Sequence, residues 1–194
     1  MNIVGIVLAG GLSTRMGKDK ANLKLAERTL LSRAVTLLDG LDFSATFVSG
    51  NYPEYDCIKD ISVNNGPLSG IHACATALYP HYDALFIIPV DMPLLVKEHC
   101  LQLLEAFKEH PQGVYFEGAT MPMILPLNKL LCDYLQSSLQ FTEKKQFSLM
   151  RLLNTLQIQA IATNPSQYIY FKNSNTPQQW MECVNTFQKI KDNI

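Results

Sequence analysis

Short apolar runs alternate along this chain with stretches whose apolar positions recur every three to four residues. Residues 2–8 are apolar and β-branched, the pattern of a strand covered on both faces. Leu30, Leu31, Ala34, Val35 and Leu38 fall on one face of a predicted helix over 30–38. Residues 45–48 read as a second strand. Residues 68–78 read as an alanine-rich helix behind Gly66-Pro67, and 84–90 as a central strand. A helix over 97–107 is expected to bury a stripe of Leu101, Leu104 and Phe107.

The later chain has weaker patterning. Residues 119–127 are apolar but carry Pro122 and Pro126, which predicts an edge strand or an irregular extension. Helices are expected over 128–136, 147–156 and 177–189, and a short strand over 168–171. Strands alternating with helices imply right-handed crossovers. The expected fold class is α/β: three layers, with a mostly parallel, Rossmann-like sheet and helices on both faces. No repeat or linker interrupts the chain, so residues 1–194 are read as one domain. Ligands in such folds bind outside the carboxyl ends of the strands, which says where to look for chemistry.

Composition narrows the function classes. With 47% hydrophobic and 17% charged residues the chain is too apolar to be disordered. A net charge of −1 argues against binding nucleic acid through a basic face. The five cysteines are odd in number and none has CxxC spacing, so they read as small core residues rather than a disulfide framework or zinc site. No apolar run is long enough to span a membrane. The apolar start runs straight into Gly10-Gly11 without a basic leader, as a buried strand does and a signal peptide does not. A cytoplasmic protein is expected.

The segment leaving the first strand, Leu8-Ala9-Gly10-Gly11-Leu12-Ser13-Thr14-Arg15-Met16-Gly17-Lys18-Asp19-Lys20, has the ingredients of a phosphate cradle. Glycines let backbone N–H groups approach an anion, and Arg15 and Lys20 can neutralise it. From position 11 to 28, five basic residues face two acidic ones, a local +3. A solvated loop with turn glycines is the plain alternative. The P-loop is excluded: five residues separate Gly11 from Gly17, and Asp19 stands where the hydroxyl belongs. The dinucleotide GxGxxG is absent as well. Asp91 follows the apolar strand over 84–90 and so falls at the same sheet edge. There it can meet phosphate through a cation, or simply cap the turn before Met92-Pro93.

The run LAGGLSTRMGKDKANLKL resembles the signature of the sugar-nucleotidyltransferase-like superfamily, and more narrowly that of the molybdenum cofactor guanylyltransferases. GPLSG at 66–70, PVDMP at 89–93 and NSNTP at 173–177 match in the same order. The resemblance is strong over about positions 1–95 and weaker beyond.

It implies transfer of GMP from GTP to molybdenum-bound molybdopterin, with release of pyrophosphate. Arg15, Lys20 and Asp91 would be catalytic. Leu8, Ala9, Gly10, Gly11, Lys20 and Asp91 would bind nucleotide, together with Gly66, Pro67, Ser69 and Gly70 at the next helix start. Asp60 matches an acidic residue that contacts guanosine. The family usually has Asn-x-Asn where this chain has Ser49-Gly50-Asn51, so Asn51 is taken as the contact there. Mg²⁺ is the implied cofactor, held by Asp91 and Asn175, though Asn175 before Thr176-Pro177 also suits a helix start. His72 is read as structural. Lys144 and Lys145 lie near where relatives carry basic residues for the pterin phosphate. Proteins that deliver or receive the cofactor are implied partners, with no nucleic acid and no membrane. Three alternatives stand beside this reading: a cytidylyltransferase using CTP on the same cofactor, a sugar-phosphate nucleotidyltransferase, and a nucleotide-binding regulatory protein that has lost turnover.

Overall fold

Strand β1 (Ile3–Leu8) is buried from Val4 onward because no polar side chain interrupts it. A computed structural model of the chain describes residues 1–10, 19–60, 66–138 and 148–192. After β1 come a short hairpin, β2 (Lys24–Leu25) and β3 (Arg28–Thr29), and helix α1 (Leu30–Asp39). Thr29 caps α1, its hydroxyl accepting from Ser32 N at 3.1 Å. Next are β4 (Thr46–Ser49), β5 (Cys57–Ile58), α2 (Pro67–Leu78) and β6 (Ala84–Pro89). The remaining elements are α3 (Lys97–Glu109), β7 (Val114–Phe116), β8 (Met123–Pro126), α4 (Lys129–Ser138), α5 (Leu149–Thr155), β9 (Gln159–Ile161) and α6 (Pro177–Asp192).

Among the described residues the main sheet has the order β5-β4-β1-β6-β8-β7-β9. All neighbours are parallel except the two pairs that β8 makes. From β1 the chain crosses to β4 on one side. From β5 it crosses back over β1 to β6, so right-handed crossovers put α1 and α2 on opposite faces. Helix α4 packs on α2, while α3 and α1 border a common groove on the other face. Leu8 is level with Ser49 on one side and with Pro89 on the other. Three strand tips therefore end together, which fixes where the chain can build a site.

Three expectations are corrected. Residues 119–127 do not form a sheet edge: β8 lies inside, between β6 and β7. Its prolines are harmless because Pro122 precedes the strand and Pro126 ends it, leaving Met123, Ile124 and Leu125 fully buried. Residues 168–171 are not a strand but the end of a 3-10 helix, Pro165–Phe171. Asn164 and Gln167 form a capping box there with Pro165 in the first turn, and local capping outweighs the β-propensity of Tyr-Ile-Tyr. Helix α3 buries His99, Cys100, Leu103 and Phe107 and leaves Leu101 exposed, a stripe shifted by one position. Cys74, Cys100 and Cys183 are buried and all five cysteines are free thiols.

Candidate active site

Backbone hydrogen bonds continue past the strand ends and hold the tips in register. Ala9 N donates to Ser49 O at 3.0 Å, and Val90 N donates to Leu8 O at 3.0 Å. The turn after β1 and the turn after β6 consequently border one cleft of about 340 Å³. Leu8, Ala9 and Gly10 form one wall, with Gly66 and Pro67 at the start of α2. Lys20, Asp91 and Asn175 meet on the other side. The Lys20 ammonium stands 3.4 Å from Asp91 Oδ2 and donates to Asn175 Oδ1. These three residues come from near the start, the middle and the end of the chain. Lys20 opens a 3-10 turn, Lys20–Asn22, that Asp19 caps through Ala21 N at 3.0 Å. Ser174 is fully buried and donates to the Asp91 carbonyl twice, from N at 2.8 Å and from Oγ at 3.2 Å. Asn175 is held against it.

The donor set passes the test for a hard divalent cation. One carboxylate and one amide oxygen already converge on a positive charge, that of Lys20. Mg²⁺ takes one or two such protein oxygens, keeps waters and draws its other ligands from phosphate. Among the described residues no cluster of three His, Cys, Asp or Glu competes for a metal.

A second set of contacts lies behind Gly10. Ser49, buried at the tip of β4, donates to Asp60 Oδ1 at 3.1 Å. Asp60 Oδ2 is so near Gly10 that a Cβ there would lie 3.0 Å from it. A Cβ on Gly70 would lie 2.5 Å from Ser49 Oγ, so the first turn of α2 can approach β4 only as glycine. Burial pushes the pKa of the Cys74 thiol, one turn further along, up to about 12.

Of the residues singled out from sequence, Leu8, Ala9, Gly10, Lys20, Gly66, Pro67, Asp91 and Asn175 line the cleft. Asp60 stands behind Gly10, while Ser69 and Gly70 are buried in the first turn of α2. Asn51 is exposed beyond β4 and does not line the cleft. His72 is half-buried on α2, where burial lowers its pKa. Gly11, Arg15, Lys144 and Lys145 lie outside the described residues. Sequence reasoning missed Thr120, Met121, Leu149 and Asn173 as lining residues. Asn173 sits within the NSNTP run and could have been read from it; the other three arrive by tertiary approach alone. Tyr52 was missed too. Its hydroxyl lies 3.2 Å from Ala9 O and 3.1 Å from Asp19 Oδ2, and burial, reinforced by Asp19, raises its pKa well above that of an ordinary phenol.

The fold is α/β, with level parallel strand tips and a lysine–carboxylate pair outside them, and its solved structural neighbours are nucleotidyltransferases. The chain belongs to the MobA-like NTP transferase family, whose model matches residues 5–159. It is 38% identical over 181 residues to the molybdenum cofactor guanylyltransferase of Xanthomonas euvesicatoria pv. vesicatoria, covering 93% of this chain and 94% of that one. Two solved structures share the fold. A nucleotidyl transferase from Methanothermobacter thermautotroptrophicus has a TM-score of 0.73 at 16% identity, covering 97% and 98% of the two chains. Molybdopterin-guanine dinucleotide biosynthesis protein A from Archaeoglobus fulgidus has a TM-score of 0.69 at 18% identity, covering 96% and 99%.

Proposed function

We propose that this protein transfers GMP from GTP to the terminal phosphate of molybdenum-bound molybdopterin, releasing pyrophosphate. The observation that carries the reading is the meeting of Lys20, Asp91 and Asn175 at the tips of β1 and β6, in a chain of the MobA-like family. An acceptor phosphate oxygen forms a bond to the α-phosphorus of GTP, and the bond from that phosphorus to the bridging oxygen breaks. The electron pair leaves with pyrophosphate. The acceptor is already an anion at neutral pH, so no side chain needs to remove a proton. The protein's work is alignment and charge compensation.

In this reading the N–H groups of Ala9, Gly10 and Gly11 hold the nucleotide, and Lys20 with Arg15 meets the α-phosphoryl group and the departing pyrophosphate. Asp91 and Asn175 hold Mg²⁺, which when bound neutralises phosphate charge. Asp60 faces the guanosine, and Gly66 to Gly70 present a helix start to it. The test is release of pyrophosphate with GTP, CTP or ATP in the presence of Mg²⁺ and molybdenum-loaded molybdopterin. The reading requires GTP to be preferred and Asp91→Ala to abolish turnover. Equal use of CTP sinks the guanylyl assignment; GTP binding without product sinks the enzyme.

A further inference from the structure

A second concavity, of about 290 Å³, lies on the opposite side of the Asp91 turn, between α1 and the start of α3. Its floor is apolar, from Ala34 of α1 and Ile88, Val90, Met92 and Pro93 of the β6 exit. Its charged lining is entirely cationic: Arg28, Arg33 and Lys97 line it with the neutral Thr36, and no aspartate or glutamate does. Among the described residues none of the three is in an ion pair. For a chain of net charge −1 this is a local imbalance.

Arg33 is the informative member. Its guanidinium carbon lies over the Phe187 ring of α6, 4.8 Å from the centroid, a cation–π contact that takes up no N–H donor. Its buried Nε has no hydrogen-bond partner among the described residues. Burial and the neighbouring Arg28 both lower its pKa, so the charged form is held at a cost. Two guanidinium groups that repel each other in a half-enclosed apolar groove are stabilised by an anion between them.

We propose that this groove is a ligand site separate from the nucleotide cleft, and that it takes a small amphipathic anion: a phosphate or carboxylate head on an apolar body of about one ring. The head sits on Arg28 and Arg33, with Lys97 at the rim, and the body lies on the floor. The size is in keeping, since a closed cavity of about 150 Å³ already holds one benzene ring. Pro89, Val90 and Met92 line both concavities, so an occupant here presses on the back of the turn that carries Asp91. Any effect on nucleotide affinity is then matched by the reciprocal effect of nucleotide.

The probe is phenyl phosphate, with inorganic phosphate as the comparator, followed by amide chemical shifts. At about eleven heavy atoms phenyl phosphate is expected to bind in the millimolar range or tighter. It should shift residues 28–37 and 88–97 saturably, and inorganic phosphate should bind about tenfold more weakly or worse, lacking the apolar body. Arg28→Ala with Lys97→Ala, both exposed positions, should weaken phenyl phosphate about tenfold or more; Arg33→Gln should do the same, while Lys20→Ala should not. The proposal is overturned if no saturable shift appears by about 10 mM. It is also overturned if the Arg28/Lys97 double variant binds like the parent, if inorganic phosphate binds as well as phenyl phosphate, or if Lys20→Ala removes the shifts.

Discussion

Ser49 and Asp60 are joined by a hydrogen bond of 3.1 Å from the serine hydroxyl to Oδ1, at the tip of β4 and behind Gly10. The bond uses one carboxylate oxygen and leaves Oδ2 directed at Gly10. A carboxylate held in one orientation can accept from a base edge; one that swings cannot do so without losing entropy. Ser49→Ala is therefore expected to raise KM for GTP by about tenfold, the worth of one hydrogen bond to a charged group, with kcat changed far less. Steady-state kinetics with varied GTP reads the split, and an equal fall in kcat would show that Ser49 acts on the chemical step instead.

Gly70 tests the same contact from the other side. Alanine in a helix is worth about 0.5–1 kcal/mol over glycine, but here a Cβ would meet Ser49 Oγ at 2.5 Å. Gly70→Ala in the parent should turn the hydroxyl away and give the KM defect of Ser49→Ala. In the Ser49→Ala background that 2.5 Å contact is gone and the Leu8 Cδ2 atom, 3.2 Å from the added Cβ, is the tight neighbour that remains, so the same change should cost less stability there than in the parent. Urea midpoints of the four proteins of this cycle measure the difference.

Lys20 and Asp91 have side-chain exposures of only 17% and 19%, so their pairing offsets part of the desolvation of each. Lys20→Ala is expected to lower kcat by about 10²–10³-fold, as loss of a donor to a charge-developing oxygen does. Asp91→Ala should abolish turnover and also cost stability, about 1–3 kcal/mol, because a part-buried ammonium loses one of its partners. A variant pair with full activity and unchanged melting would remove this pair from the site.

His99 gives the fold a pH dependence of defined sign. It is 3% exposed, packed against Phe116, Tyr170 and Phe171, and burial holds it below its ordinary 6.5, with Glu98 opposing. Below 6.5 the unfolded chain takes up the proton first. Its contribution to stability is complete above 6.5 and is lost as pH falls toward the lowered folded value. His72 adds the same sign. Denaturant midpoints should therefore drop as pH falls below about 6.5, and His99→Phe should flatten part of that slope.

What could be read from the chain beforehand follows from how local each signal is. β1, α1 and β6 are written in continuous apolar runs and helical spacing, and these survive in the fold. β7 and β9 are three residues each, too short to carry a period, and went unseen. The 3-10 helix at Pro165–Phe171 is decided by its cap at Asn164-Pro165, a signal that lies outside the aromatic run from which a strand is expected. The site divided in the same way. Lys20 and Asp91 follow from strand ends, whereas the contact between Lys20 and Asn175 spans 155 positions and has no trace in spacing. Thr120, Met121 and Leu149 are brought to the cleft by packing of the later chain.

Ser174 grips the Asp91 carbonyl from 83 positions downstream. During synthesis the turn that bears Asp91 therefore emerges from the ribosome long before its brace does. A nascent polypeptide halted short of that serine lacks the clasp on this turn, so on the function proposed above competence to bind nucleotide arrives late in translation rather than growing with chain length.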